Sequence, residues 1–263
     1  MTDILRKTKI HLGIMIAATV CLSSCASYNK DPIVEGDIVI SDPMEEQNRR
    51  VFAFNQGVDR VIINPVVKGY RAAAPEPVRT GIRNVLRNLR SPITLANQLL
   101  QGDLRGAGDA FVRAAINTTI GVGGIFDVAG YEGIEYEPED FGQTLAVWGV
   151  DHGPYLIVPI LGPSSARDYA GYFVDSLADP LRWYLFNIDE EAIYYAKVSV
   201  DYIDLRESYM DVLKELQASS IDFYASVRST YYQRREAMVY DLDAGTSDML
   251  AVPSIPDYDN GDE

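Results

Sequence analysis

The sequence predicts an all-α protein with a single domain across residues 42 to 240, and three observations carry that reading. Apolar residues recur at three- and four-residue intervals through most of this range. No alternating run is long enough to build a sheet, and no shift in composition marks an internal boundary. The third observation is a Gly/Pro-rich apolar interruption, DFGQTLAVWGVDHGPYLIVPILGPSSAR from Asp140 to Arg167, with Asp151 the one formal charge between its ends. It is long and apolar enough to cross a bilayer. Gly142, Gly149, Gly153, Pro154, Pro159, Gly162 and Pro163 nevertheless break it too often for one spanning helix, because each proline removes a donor and clashes one turn back. Irregular backbone sits at membrane depth only where protein buries it or where it lines a cavity. The stretch is therefore expected to be an apolar wall housed by the surrounding helices.

At the N-terminus, Arg6, Lys7 and Lys9 precede an apolar run from Ile10 to Leu22, followed by Ser23-Ser24-Cys25. This is the pattern of a bacterial lipoprotein signal peptide, residues 1 to 24, cut before an acylated Cys25; the run is too short to span. Each buried acyl methylene contributes about 0.8 kcal/mol, so Cys25 is the lipid-attachment site and needs no spanning helix beside it. Ala26 follows, in place of the aspartate that retains many lipoproteins in the inner membrane, which favours the outer membrane. Cys21 lies upstream of the cut, leaving the mature chain with no disulfide to form. Residues 25 to 41 read as a lipidated tether, spanning at most roughly 50 Å.

The helices follow in order. Asp42, Pro43 and Glu45 form a capping-box signal, and Val51, Phe52, Phe54, Val58, Val61 and Ile62 supply an apolar stripe that Asn64-Pro65 is expected to stop. Beyond Pro75 and Pro77, Val78, Ile82, Val85, Leu86 and Leu89 mark a second amphipathic helix, whose neighbouring face carries Arg79, Arg83, Arg87 and Arg90. Ser91-Pro92 is expected to restart the pattern for Leu95, Leu99 and Leu100. A further helix covers Leu104 to Thr118, with Phe111, Ala114, Ala115 and Ile116 suited to close packing, and Gly121, Gly123 and Gly124 end it. Ser164 is expected to cap a helix through Leu177, which Asp179-Pro180 breaks. No glycine or proline occurs from Asp189 to Ser220, so the longest helix is expected there. A Tyr/Arg-rich helix follows over Ile221 to Val239, and the acidic stretch 241 to 263, without lysine or arginine, is expected to be disordered.

Charge narrows the function. The net charge is −15, and residues 1 to 24 are basic, so the remainder is more acidic still. Nucleic acid and electrostatic docking to an anionic membrane both need a basic surface and are excluded as partners. Chemistry is sparse too. His11 lies in the signal peptide, so His152 is the sole histidine left for any Ser-His-Asp arrangement, and no GxSxG elbow is present. Ser164 and Ser165 read as a turn leading into a cap. The histidine and cysteine counts leave no metal site, the 257 to 261 stretch lacks the terminal glutamate of a calcium loop, and Gly121 to Gly124 has no βαβ unit around it. No catalytic residue, metal or cofactor is expected.

Several of these blocks resemble the MlaA (VacJ) family of phospholipid-transport lipoproteins. The matching residues are Asp42-Pro43 with Glu45, Asn48-Arg49, FAFN from Phe52 to Asn55, Asp59, Pro65 and Tyr70-Arg71. They continue with NVLRNLRSPITLANQLLQG from Asn84, INTTIGVGGIFDVA from Ile116, DFGQTL from Asp140, GVDHGPYLIVPILGPSSARD from Gly149 and, more loosely, YASVRSTYYQRR from Tyr224. The resemblance covers about residues 42 to 235. It implies a compact, ring-like helical domain embedded in the periplasmic leaflet of the outer membrane, with an amphipathic passage for phospholipids. The implied partners are a trimeric outer-membrane porin, a periplasmic MlaC-like lipid carrier and an inner-membrane transporter beyond it. The implied task is removing phospholipids mislocalised to the outer leaflet.

Candidate residues then divide between two readings each. Phe54 and Asn55 match the segment that the family associates with control of the pore; the plainer reading is a core phenylalanine and a satisfied amide. The arginine row 79, 83, 87 and 90 either meets lipid head groups through forked guanidinium contacts or forms a solvated or porin-facing surface. Leu156, Val158 and Leu161, with Ile157 and Ile160, are either membrane-facing pore wall or core. Two rival functions remain beside the conduit: an envelope phospholipase using His152, and a structural scaffold lipoprotein.

Overall fold

The computed structural model describes residues 33–35 and 38–240; Cys25, the signal peptide and the acidic tail lie outside the described residues. The last part of the expected tether pairs as an antiparallel hairpin, β1 (Ile33–Glu35) with β2 (Ile38–Ile40). Ile40 is buried against Tyr155, Ile157, Tyr224 and Tyr232 in the main apolar cluster. The folded domain thus begins before Asp42. The capping box does not form: α1 (Glu45–Val58) starts after Met44 with no side-chain cap. Asp42 is drawn instead into a buried ion pair described below, a stronger partner than an exposed backbone N–H.

Pro65 does not stop the first helix. A π-helical turn, Asp59–Ile63, precedes α2 (Asn64–Ala73), and the Asn64 N–H reaches back five residues to the Asp59 carbonyl. The wider turn makes room for a residue that has no N–H and that would otherwise clash with the carbonyl one turn before it. Pro92 likewise fails to restart a helix. It lies inside α3 (Glu76–Gln101), a continuous helix of 26 residues, where the Ser91 hydroxyl contacts the Arg87 carbonyl at 3.4 Å. Gly102, at φ 84°, closes α3, and the Asp103 carboxylate caps α4 (Leu104–Thr119). A tight loop leads to the single turn α5 (Val128–Tyr131), capped by Asp127.

The apolar interruption folds as a helix and a hairpin. Asp140 caps α6 (Phe141–Val147), and β3 (Tyr155–Val158) pairs antiparallel with β4 (Gly162–Ser165). Strands this short show no readable alternation, so the sequence hid them. Ser165, one residue beyond the expected cap, bonds the Asp168 N–H and opens α7 (Ala166–Ala178). The chain continues through α8 (Pro180–Asn187), α9 (Glu191–Ser208), α10 (Met210–Ser219) and α11 (Phe223–Val239). Among the described residues the longest helix is therefore α3. The run expected to be longest is split at Tyr209 (φ −91°, ψ −1°), which lets α10 pack on α11 while α9 stays against α2 and α3.

Packing closes a circuit. α2 packs on α9, α9 on α3, α3 on α6, α6 on α11, α11 on the β2 and β4 edges, and β3 on α1, which runs back into α2. At one step two backbones touch: a Cβ added at Gly171 of α7 would lie 2.2 Å from the Gly142 nitrogen of α6. Only glycine permits that approach.

What the circuit buries is unusual. Among the described residues, buried polar and charged side chains outnumber buried apolar ones, while large apolar residues stand exposed: Val61 at 74 %, Leu104 at 75 %, Phe111 at 61 % and Phe173 at 58 %. A contiguous exposed apolar surface marks contact with lipid or protein. No helix of the described residues is long and apolar enough to cross a membrane.

Candidate functional site

The polar interior is organised by arginines that each join distant elements. On α11, Tyr224, Arg228, Tyr232 and Arg235 recur at helical spacing and are all buried, so the stripe that would ordinarily be apolar is built of phenols and guanidiniums. Arg235 donates through Nη1 to Asp140 Oδ2 at 2.7 Å and through Nη2 to Asp140 Oδ1 at 3.0 Å and Asp168 Oδ1 at 2.9 Å. Asp168 also accepts from Arg167 Nε at 2.9 Å and from the Tyr231 hydroxyl. This joins the cap of α6 and the first turn of α7 to α11. Alongside, Thr144 donates to Asn97, Asn97 to Asp175, and Gln101 and Gln143 both to Glu139, carrying the network across to α3.

Burial raises a carboxylate's pKa and a neighbouring cation lowers it; here the arginines win. Desolvation opposes it, but Arg235, Tyr231 and Arg167 hold Asp168 down at about 2. Asp140 is likewise lowered, the Arg235 bond outweighing burial. Asp175 shifts the other way, raised chiefly by burial. A depressed folded-state pKa stabilises the fold above the unfolded value and loses that contribution as pH falls through the folded one. The Asp168 contribution, about 2 kcal/mol from its shift, is expected to be full above about pH 4 and gone near about pH 2, partly offset by protonation of Asp175. Thermal melts followed by circular dichroism across that window should show the loss. Asp168→Asn should flatten the slope.

A second knot ties the start of the domain to its last helix. Asp42 accepts from Asn48 Nδ2 at 2.8 Å, the Tyr224 hydroxyl at 2.5 Å and Arg228 Nη1 at 2.7 Å. A third binds α9 to α2 and α3. Glu207 meets Arg71 Nε at 2.7 Å and Arg79 Nε at 3.3 Å, and Asp204 meets Arg83 Nε at 2.9 Å and the Tyr70 hydroxyl at 3.1 Å.

The residues singled out from the sequence fall as follows. Arg79 and Arg83 are consumed by these internal ion pairs. Arg87 is exposed and lies 4.7 Å over the Tyr136 ring, and Arg90 is half-buried with its Nε lacking a hydrogen-bond partner among the described residues. The row is thus split among three environments. Asn55 holds the turn of the β3–β4 hairpin, its Nδ2 donating to the Val158 carbonyl at 3.0 Å and its Oδ1 accepting from the Ile160 N–H at 2.9 Å. Two turns earlier, Asn48 does the same to Tyr155 and Ile157, so two amides of α1 clamp the strand edge. Phe54 beside them is 56 % exposed. Leu156 and Val158 are half-buried, Ile157 is buried, and Leu161 and Ile160 are exposed at 46 % and 57 %, so the hairpin has one face in the core and its tip outside. His152 pairs through Nε2 with Glu236 Oε1 at 2.8 Å and packs edge-on to Tyr232. Ser165 serves as the α7 cap, and Ser164 lies 3.5 Å from the Tyr231 hydroxyl.

The arrangement therefore offers a buried lattice of charges and amides inside a shell of apolar helix faces. Of its main members, Asp42 was read from the sequence as a helix cap and Asp140 as the start of a motif, and none of Asp42, Asp140, Asp168, Arg228 and Arg235 was expected to form a buried network. Their signal was present as polar residues at helical spacing on α11, as Asp140 immediately before α6 and as Asp168 in the first turn of α7.

Comparison with known proteins places this architecture. The family model described as MlaA lipoprotein matches residues 40–238. A Shigella flexneri protein named intermembrane phospholipid transport system lipoprotein MlaA is 35 % identical over 232 residues, covering 87 % of this chain and 88 % of that one. The protein of the same name from Escherichia coli K12 is 34 % identical over the same length and shares. A solved structure, reported as a structural basis for maintenance of bacterial outer membrane lipid asymmetry, superposes with a TM-score of 0.67 at 36 % identity, covering 76 % of this chain and 99 % of the other.

Proposed function

The chain belongs to the MlaA lipoprotein family, and from that premise we propose that it conducts phospholipids out of the outer membrane. Acyl chains on Cys25 hold it at the outer membrane, and its apolar helix faces lie among lipid tails of the periplasmic leaflet. Phospholipids mislocalised to the outer leaflet pass through the ring to a periplasmic, MlaC-like carrier and from there to an inner-membrane transporter, so that lipid asymmetry is kept. A trimeric porin stands beside it. The observation that carries the reading is the inverted burial: charged and amide side chains inside, Val61, Leu104, Phe111 and Phe173 outside. Moving a zwitterionic head group through an apolar wall without partners would cost several kcal/mol, and a hydrogen-bonding interior removes much of that cost.

No covalent chemistry is required. His152 is held by Glu236 rather than by a serine hydroxyl, the partner that acyl transfer would need. His152→Ala is expected to leave phospholipid movement intact, which separates the conduit from a phospholipase. The direct test is surface labelling of phospholipid on intact cells. Deleting the protein should raise outer-leaflet phospholipid, and wild type, but not Cys25→Ala, should restore the low level. An unchanged level on deletion would favour the scaffold reading instead.

A further inference from the structure

The chain has two tryptophans, and both make the same unusual bond. Trp148, 55 % exposed, donates its indole N–H to the Leu100 carbonyl in the last turn of α3 at 3.0 Å. Trp183, 59 % exposed, donates to the Leu177 carbonyl in the last turn of α7 at 2.6 Å. Both helix ends are short of backbone donors. After α3 the N–H groups of Gly102 and Asp103 bond the carbonyls of Leu99 and Gln98, which leaves Leu100 to the indole. After α7, Pro180 has no N–H and the Leu181 N–H is taken by the Asp179 carboxylate, which leaves Leu177 to the other indole.

In water such carbonyls need no protein donor, because solvent satisfies the last turn of a helix. In hydrocarbon each one must find its donor within the protein. An indole at a membrane surface keeps its N–H for water and head groups. Here the N–H is turned inward, so the exposed part of each ring is apolar. Exposed apolar side chains flank both rings: Leu99, Leu100 and Val147 at the first, Phe173, Val174 and Leu177 at the second. The exposed tip of the β3–β4 hairpin follows the same rule, its Ile160 and Gly162 carbonyls accepting from the hydroxyls of Tyr202 at 3.3 Å and Tyr169 at 2.6 Å.

We propose that Trp148 and Trp183 cap backbone acceptors within the hydrocarbon, so that the ends of α3 and α7 lie among acyl chains and not at the membrane surface. The proposal rests on the phospholipid-conduit reading and adds to it the depth of these two ends. It also assigns a role to two residues outside the polar interior. The apolar shell then continues across the breaks between helices, where open backbone would otherwise draw in water.

The test uses the intrinsic tryptophan fluorescence of the full acylated protein in bilayers, with Trp148→Phe and Trp183→Phe separating the two signals. Bromines placed near the middle of the bilayer should quench each indole more strongly than bromines placed near the head groups, and acrylamide in the water should quench neither. Trp148→benzothienylalanine and Trp183→benzothienylalanine keep the ring size and remove the donor. Each should lower the folded-to-unfolded ratio in bilayers about tenfold, the size expected for one stranded carbonyl. Where water reaches the carbonyl it replaces the indole, so an unchanged ratio overturns the proposal. So does stronger quenching from the head-group bromines or by acrylamide. Protection from the bromines by a co-reconstituted trimeric porin would assign the rings to protein and overturn it too. Phe111→Trp in a chain lacking both native indoles reports a helix face in the same assay. Quenching of that reporter alone overturns the caps and leaves the conduit standing, and quenching of none of the three removes both.

Discussion

Arg235→Ala should cost the fold about 3 to 5 kcal/mol, the range expected when a buried ion pair loses one partner and the other charge stays behind. Asp140, at the same time the cap of α6, is stranded without its cation, while Asp168 loses one of its two arginines and keeps Arg167. Nearby space is also tight: a Cβ at Gly142 would lie 2.8 Å from Arg235 Nη2 and 2.6 Å from Asp168 Oδ1. The expected result is a strongly lowered unfolding midpoint and a variant that fails to accumulate. Combining Arg235→Met with Asp140→Asn should recover part of the loss, since no carboxylate is then left without a cation. A single variant that melts within a degree or two of wild type would show that water reaches this knot freely.

The second large effect is expected at the other end of α11. Arg228→Ala removes the guanidinium from Asp42, whose carboxylate is 1 % exposed, and also the longer 3.6 Å contact with Glu45. Asn48 and the Tyr224 hydroxyl remain, so Asp42 keeps two donors but no cation. A loss of about 3 to 5 kcal/mol again applies, concentrated at the junction between the β1–β2 hairpin and the domain. Limited proteolysis should cut near residue 42 in the variant well before the rest of the domain is digested. Arg228→Met with Asp42→Asn should protect that site again.

These two knots also show where the sequence was legible and where it was not. Helical periodicity located most helices because the stripes exist whichever way they face. It could not tell the facing: Val61 and Phe54 belong to the stripe that marks α1 and its π turn, yet they are 74 % and 56 % exposed. The rule that an apolar stripe marks the core assumes water outside, and an interior built on Asp140, Asp168 and Arg235 inverts it. Pro65 and Pro92 misled for a different reason. A proline penalises a helix locally, but the π turn before Pro65 and the packing of α3 against α4, α6 and α9 outweigh the penalty. Asn55 was visible as a motif residue, whereas its clamp on Val158 and Ile160 spans more than a hundred residues of sequence and leaves no local trace.

The measurement that bears most directly on the account is depth-sensitive spin labelling of the acylated protein in bilayers, comparing oxygen with a water-soluble nickel chelate as relaxing agents. Labels at Val61, Phe111 and Phe173 should be relaxed by oxygen and shielded from nickel, while a label at Asp211, an exposed acid on α10, should show the reverse. Nickel reaching Val61, Phe111 and Phe173 as readily as Asp211 would mean that the apolar shell faces water. The polar interior would then have no membrane around it to conduct lipid through.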